Sequence, residues 1–344
     1  QAQAFTWGDV GSTTNTTDYN LGTNWGNPPV GAPPVAAGQS AIFDATGSNA
    51  ITVTTGPIAP GSWTFNANSQ NYVIDGAAIN FGIAGAGGGI INNANAGQAI
   101  SISNNIGETV AGVQVQQLDS SVLTLSGANT YSGGTIIGAG ILQVTNNSSV
   151  GSGAVTLNGG KFLADGLSNL AFSNNFTLNA PAFGSAVDTN GVALTFSGVV
   201  GGTGALTVLD TFGGGTLILT NTNTYSGGTT ICSCVTLQLG TLATQGSIVG
   251  AVTNEGAFNI VNANTAGITS IINDGTFGFA TTTFFNASSA SSIAITNDNG
   301  GATAFGVAAG IESKPFVVVN KFVSTGASPK STTKSTACNP TIIN

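Results

Sequence analysis

Residues 123–144 read LTLSGANTYSGGTIIGAGILQV, and residues 217–239 read LILTNTNTYSGGTTICSCVTLQL. The phrase NTYSGGT thus stands at Asn129–Thr135 and again, intact, at Asn223–Thr229. A catalytic loop is needed once per site, whereas a unit that stacks on copies of itself must recur to bury its apolar faces. The repetition therefore speaks first of architecture. Each copy has the form strand, turn, corner, strand. Gly133 and Gly134, with Gly227 and Gly228, supply either positive φ or close backbone approach at the corner. Tyr131 and Tyr225 are expected to pack in that corner or to stack as ladder partners. In the second copy Gly138-Ala139-Gly140 becomes Cys232-Ser233-Cys234, and one residue is added before Gln238.

Outward from this phrase the chain offers many short alternating runs and almost no helical spacing. Ala50–Thr54, Trp63–Phe65, Tyr72–Ile74, Ala99–Ile102, Val122–Leu125, Ala154–Leu157, Phe176–Leu178, Ala193–Phe196, Ala205–Val208 and Ile293–Ile295 all read as strands, most of them bounded by Gly, Asn, Asp or Ser. Strands this short suit a coil that turns two or three times per circuit and stacks on the next circuit. The expected fold is all-β, a right-handed parallel β-helix with roughly twenty residues per coil and on the order of fifteen coils. Inward Val, Ile, Leu, Phe and Ala would form a continuous column, with asparagines and threonines stacked as side-chain ladders.

Composition narrows the function. The 344 residues include 51 glycines, 5% are charged, and there is no His, Met or Arg. Without histidine there is no Ser-His-Asp or Cys-His pair and no His-ligated zinc. A formal charge of −8 with five basic residues lacks the stripe needed to neutralise nucleic-acid phosphates. The expectation is no nucleic-acid partner, no cofactor and no metal. The run Gly76–Gly107 is uncharged throughout, yet glycine and asparagine break it too often for a membrane helix. The start, QAQAF, contains Ala2-Gln3-Ala4, the small-x-small pattern left near a removed secretory signal.

Three regions differ in character. Residues 1–60 hold Trp7, Trp25 and Phe43 among several prolines and read as an aromatic, proline-rich cap. Residues 61–311 read as β-helix repeats. Residues 312–344 hold four of the five lysines, a short apolar strand around Phe316, Val317, Val318 and Val319, and a Ser/Thr/Lys-rich tail. An apolar strand of this kind is a candidate contact between subunits. Three cysteines permit one intramolecular bridge, from Cys338 to either Cys232 or Cys234, with a thiol left over.

The phrase L-T-L-S/T-G-x-N-T-Y-S/T-G-G-T-T-I-x-x-G-x-L-Q-V, carried by residues 123–144 and more loosely by 217–239, resembles the passenger-associated repeat of bacterial autotransporters. The opening Thr6-Trp7-Gly8, Asn24-Trp25, the run AIFD at 41–44 and the run VGAVTNEGAFNI at 249–260 are similar to parts of such passengers. The resemblance implies export, β-helical folding at the cell surface, and a translocating outer-membrane barrel in the precursor, of which residues 1–344 show no strand pattern. The expected role is extracellular and structural without catalysis: a stalk, adhesin or matrix component meeting surface glycans or other cells, or a self-assembling filament subunit. The contrasting class is a β-helical polysaccharide-active enzyme, which would need paired carboxylates drawn from Asp165, Asp188, Asp210, Glu255 and Asp274. Calcium repeats fit poorly, because GGTGALTVLD at 201–210 misses their register.

Overall fold

The computed structural model describes residues 3–8, 15–26, 32–180, 185–278, 280–286, 288–290 and 292–305. Phe316, Val317, Val318, Val319 and Cys338 lie outside them. The chain is an all-β solenoid whose only helical turns among the described residues are two three-residue 3-10 segments, Gly22–Asn24 and Gly275–Phe277. It forms two compact units, one reaching Thr177 and one starting at Leu178.

In the first unit, the strands Ala50–Val53, Tyr72–Gly76, Ala99–Ile102, Val122–Leu125, Ile141–Val144 and Lys161–Ala164 stack in that order as one parallel sheet. Gln3–Trp7, Gln39–Phe43, Ser62–Phe65, Gly85–Asn92, Val113–Gln117, Thr135–Ile137 and Val155–Leu157 stack as a second. Ile79–Phe81 and Ile106–Glu108 pair as a short third face. Alternation puts every second side chain inward, and the registers stack like on like. Ile51, Ile74, Ile102, Leu125, Val144 and Ala164 form one buried column.

The second unit repeats the scheme. Ala186–Asp188, Leu206–Leu209, Thr229–Ile231, Gly250–Asn254, Ile268–Asp274 and Ala294–Asp298 make one parallel sheet. Ala193–Phe196, Thr216–Leu219, Thr236–Leu239, Ala257–Ile260, Thr281–Phe284 and Ala302–Phe305 make the other. Asparagine ladders run inside this stack: Asn254 Nδ2 donates to Asn273 Oδ1, and Asn273 Nδ2 donates to Asn297 Oδ1, both at 2.8 Å. Coil length varies: 19 residues separate the stacked pair Leu123 and Leu142, 28 separate Ile74 and Ile102, and 36 separate Gln3 and Gln39. The chain accordingly makes about 11 turns, fewer than the fifteen that a uniform twenty-residue coil gives, because corner loops absorb the extra residues.

The aromatics of the first 81 residues gather at the low-numbered edge of the first unit. Trp25 lies 5.0 Å from Trp7 and 4.8 Å from Tyr19, and Phe43 stacks on Phe65 at 4.7 Å. Each polar tip is satisfied, as a buried Trp or Tyr requires. Trp7 Nε1 donates to the Ser48 carbonyl, Trp25 Nε1 to the Tyr19 carbonyl, Trp63 Nε1 to the Tyr19 hydroxyl, and that hydroxyl to the Pro34 carbonyl. Trp25–Gly26 pairs antiparallel with Gln3–Trp7 on the outer side of the sheet, where another parallel coil would otherwise add. Parallel stacking of Gln3–Trp7 on Gln39–Phe43 already operates within this aromatic region.

Phe43 touches Trp25, Trp63, Phe65 and Tyr72 at ring distance. Phe43→Ala is expected to lower the stability of the first unit by about 3–5 kcal/mol. Urea titration followed by tryptophan emission reads the change directly, since all three tryptophans report on this cluster.

Candidate functional site

The repeated phrase is a staple that closes one coil. In the first unit it leads from Val122–Leu125 in one sheet to Thr135–Ile137 in another, after which Ile141–Val144 returns to pair in register with Val122–Leu125. Asn129 is buried at the corner. Its Oδ1 accepts from the Ile106 N–H (2.8 Å) on the preceding coil, and its Nδ2 donates to the Ser149 carbonyl (2.7 Å) on the following coil. One amide thereby ties three consecutive coils. Tyr131 is fully buried and its hydroxyl shares a 2.6 Å hydrogen bond with Thr135 Oγ1. Burial pushes the phenol well above the usual tyrosine range, with the Thr135 bond opposing it, so it stays neutral.

The glycines divide the two roles expected of them. A Cβ on Gly133 would lie 2.2 Å from the Gly112 carbonyl oxygen, so this residue permits close approach of coils, whereas Gly134 takes φ +92°. In the second unit Gly227 is crowded in the same way, by Gly204 and Ala205, and Gly228 takes φ +85°.

The second copy reproduces the staple atom for atom. Asn223 Oδ1 accepts from the Val200 N–H (2.8 Å), its Nδ2 donates to the Ser247 carbonyl (2.9 Å), and the Tyr225 hydroxyl meets Thr229 Oγ1 at 2.7 Å. The strand Thr236–Leu239 returns onto Thr216–Leu219 with Leu217 opposite Leu237, so the added residue is absorbed before the strand. Cys232 is buried and Cys234 is exposed with a free thiol; Cys338, the third cysteine of the expected pairing, lies outside the described residues. Cys234 takes φ +69°, matching φ +63° at Gly140 in the first copy. The corner demands a left-handed residue, and the second copy meets that demand with a side chain present.

Two stretches of the chain match a family model, at 116–144 and 212–233, and each contains one staple. The matching family is the passenger-associated-transport-repeat. The second match stops at Ser233, beside the left-handed Cys234 and the added residue. A passenger repeat on a parallel β-solenoid is consistent with an autotransporter passenger, and the repeat implies an exported or surface protein. No curated protein and no solved structure matches the chain.

Four of the five carboxylates considered for chemistry are used in turns. Asp188 and Asp210 sit on adjacent coils of the second unit and exchange threonines. Asp188 accepts from Thr211 N (3.0 Å) and Thr211 Oγ1 (2.5 Å), while Asp210 accepts from Thr189 Oγ1 (3.0 Å), Phe212 N, Gly213 N and Gly215 N. Asp165 accepts from Leu167 N in an Asx turn. Asp274 accepts from Thr276 N and Oγ1 and from Asn299 Nδ2. Glu255 is buried. Among the described residues no three His, Cys, Asp or Glu side chains gather as a metal site, and no helix is long and apolar enough to cross a membrane.

One clip was invisible in the sequence. Glu108 Oε2 accepts from the N–H groups of Gly112, Val113 and Ser132, the last inside the first passenger repeat. The acid lies 24 residues before Ser132 and has no counterpart in the second copy, so no motif announces it. Thr135 and Thr229, the tyrosine partners, were visible as part of the phrase; Ser149 and Ser247 lie on the next coil and were not.

Asn129→Ala leaves the Ile106 N–H and the buried Ser149 carbonyl without these partners and is expected to cost about 2–4 kcal/mol, whereas Asn223→Ala strips the partner only from the Val200 N–H, the Ser247 carbonyl keeping the residue 223 N–H, and is expected to cost about 1–3 kcal/mol; both are read as shifts in the urea midpoint. Cys234→Gly is expected to raise stability by up to about 1 kcal/mol by releasing a left-handed side chain, whereas Gly140→Ala lowers it, because its Cβ would meet the Asp119 and Ser121 carbonyls at 2.4 Å.

Burial pushes the Glu108 carboxyl up, but hydrogen bonds from Ser132, Val113 and Gly112 outweigh it and hold the group below the usual glutamate range; Asp274 is held low in the same sense by Thr276 and Asn299. A folded-state value below the unfolded one stabilises above the unfolded value, and the benefit is lost as pH falls through the folded value. The stability difference between wild type and Glu108→Gln is therefore expected to be constant near neutrality and to shrink once the pH drops below about 4.3, the unperturbed glutamate value. Thermal melts of both proteins across the acid range check it.

Proposed function

We propose that this chain is a non-catalytic extracellular β-solenoid, carried out as an autotransporter passenger and acting at the bacterial surface as an adhesin, stalk or matrix component. The observation that carries the reading is the passenger repeat built as a coil-closing staple: its asparagine, tyrosine and glycines are consumed by the fold and present no reactive group. The turn roles of Asp188, Asp210, Asp165 and Asp274 support the absence of hydrolysis. The outer face of the second unit offers a surface instead. Its outward positions from Thr216 and Ile218 through Thr236, Gln238, Asn259, Thr281 and Thr283 carry hydroxyls, amides and apolar groups with no charge. Such a face suits surface glycans or another cell's coat, and an outer-membrane barrel is the partner during export.

A second reading, a filament subunit, is favoured by Ala294–Asp298 and Ala302–Phe305, which stand at the edges of their sheets among the described residues.

Protease shaving of intact cells is expected to remove the chain without lysis. Purified protein incubated with common glycans is expected to release no new reducing ends. A turnover abolished by Asp188→Asn or Asp210→Asn would overturn the structural reading.

A further inference from the structure

Three stacks of strands in the first unit end at its low-numbered side, and each end is already paired by residues of this chain. Gln3–Trp7 carries Trp25–Gly26 antiparallel along its outer side, and the Gly8 N–H donates to the Asn24 carbonyl (2.9 Å). Ala50–Val53, the last strand of the other long sheet, is met by an isolated bridge between Asp18 and Thr52. There the Thr52 N–H donates to the Thr17 carbonyl (2.7 Å), and the Thr52 carbonyl accepts from the Tyr19 N–H (2.9 Å). Just beyond it the Asn20 side chain stands in for a strand: its Nδ2 donates to the Thr55 carbonyl (2.9 Å), and its Oδ1 accepts from the Thr55 N–H (3.0 Å). On the short third face Ile58 bridges Ile79, and the neighbouring Ala59 N–H donates to the Val35 carbonyl (2.8 Å).

One buried side chain shapes the segment that covers two of these edges. Asn24 Oδ1 accepts from the Thr16 N–H (3.1 Å), while its Nδ2 donates to Thr16 Oγ1 and to the Asp18 carbonyl, both at 2.8 Å. These bonds fold residues 16–24 back on themselves, so that Thr17 and Tyr19 reach one sheet while Trp25 and Gly26 reach the other. The Tyr19 hydroxyl donates to the Pro34 carbonyl, beside Val35, and so ties the third face to the same segment. We propose that residues 16–26 are a strap that terminates the solenoid, an autoinhibitory contact that denies this edge to a second copy of the chain. The strands behind the strap are templates for such a copy, because Gln3–Trp7 and Ala50–Val53 both pair parallel with strands of this chain on their inner sides. A two-residue antiparallel strand, a single bridge and a side-chain amide satisfy the edge groups without offering a continuous row that a further strand could follow. Filament growth at this edge is excluded while the strap is in place, which narrows the filament reading above. The strap itself rests on neither functional reading.

Residue-resolved hydrogen exchange of the intact chain, at low and at high protein concentration, tests the strap. In the wild type, protection of the Tyr19, Thr52 and Thr55 amides is expected to be the same at both concentrations. A rise with concentration would show a second copy docking at the strapped edge and would overturn the proposal. Asn24→Ala is expected to lower protection of the Thr52 amide by ~10-fold or more at low concentration while Val122–Leu125 stays protected, because outer rungs of a solenoid open locally. At high concentration the Thr52 amide is expected to recover as a second copy pairs with the freed strand. Protection that stays lost at high concentration would overturn the proposal, since the freed edge then recruits nothing. Unchanged protection at low concentration would overturn it too, by removing Asn24 as the key of the strap. If Asn24→Ala also strips protection from Val122–Leu125, Asn20→Ala provides the same comparison at the Thr55 amide, with the same outcomes deciding.

Discussion

The constraint on which this structure depends is that every coil must return to the register of the coil before it. Backbone N–H and C=O groups in a parallel stack are satisfied by the neighbouring coil, so a circuit that closes late or early leaves buried polar groups unpaired. The NTYSGGT staple enforces closure at the corner. Asn129 and Asn223 each bond the coil before and the coil after, glycines let the corners approach, and a buried tyrosine is pinned to a threonine four residues on. Where the second copy carries one residue more, the corner takes it up and the strand still lands with Leu217 over Leu237.

A protein with 5% charged residues has to satisfy its polar groups by other means. Here amides and hydroxyls carry that load. The Asn254–Asn273–Asn297 ladder, the Asn92–Gln117 contact and the threonine exchange between Asp188 and Asp210 all link adjacent coils. Acids such as Glu108, Asp165 and Asp210 are spent on backbone N–H groups in turns.

Stacking also creates a liability at the ends, because a solenoid edge is a template for another strand. The first unit covers its low-numbered edge with a short antiparallel strand and a cluster of aromatics whose polar tips are all bonded. Among the described residues of the second unit, Ala294–Asp298 stands at a sheet edge, with Ile295 and Asn297 only half-buried.

The sequence by itself determined the fold class. Short alternating runs bounded by turn residues permit little else, and all ten of those singled out coincide with observed strands or overlap them. It also determined the identity of the corner, since a phrase repeated with its glycines in place marks a structural unit. The tertiary structure alone decided which coil each side chain reaches. That Asn129 binds Ile106 and Ser149, that Glu108 clips Ser132, and that Cys234 occupies a left-handed position equivalent to Gly140 depend on how many residues each coil takes. Period-two alternation fixes which face a residue takes, but loop length fixes its neighbour on the next coil. Variable loops carry no periodic signal, so those contacts become legible only once the coils are stacked.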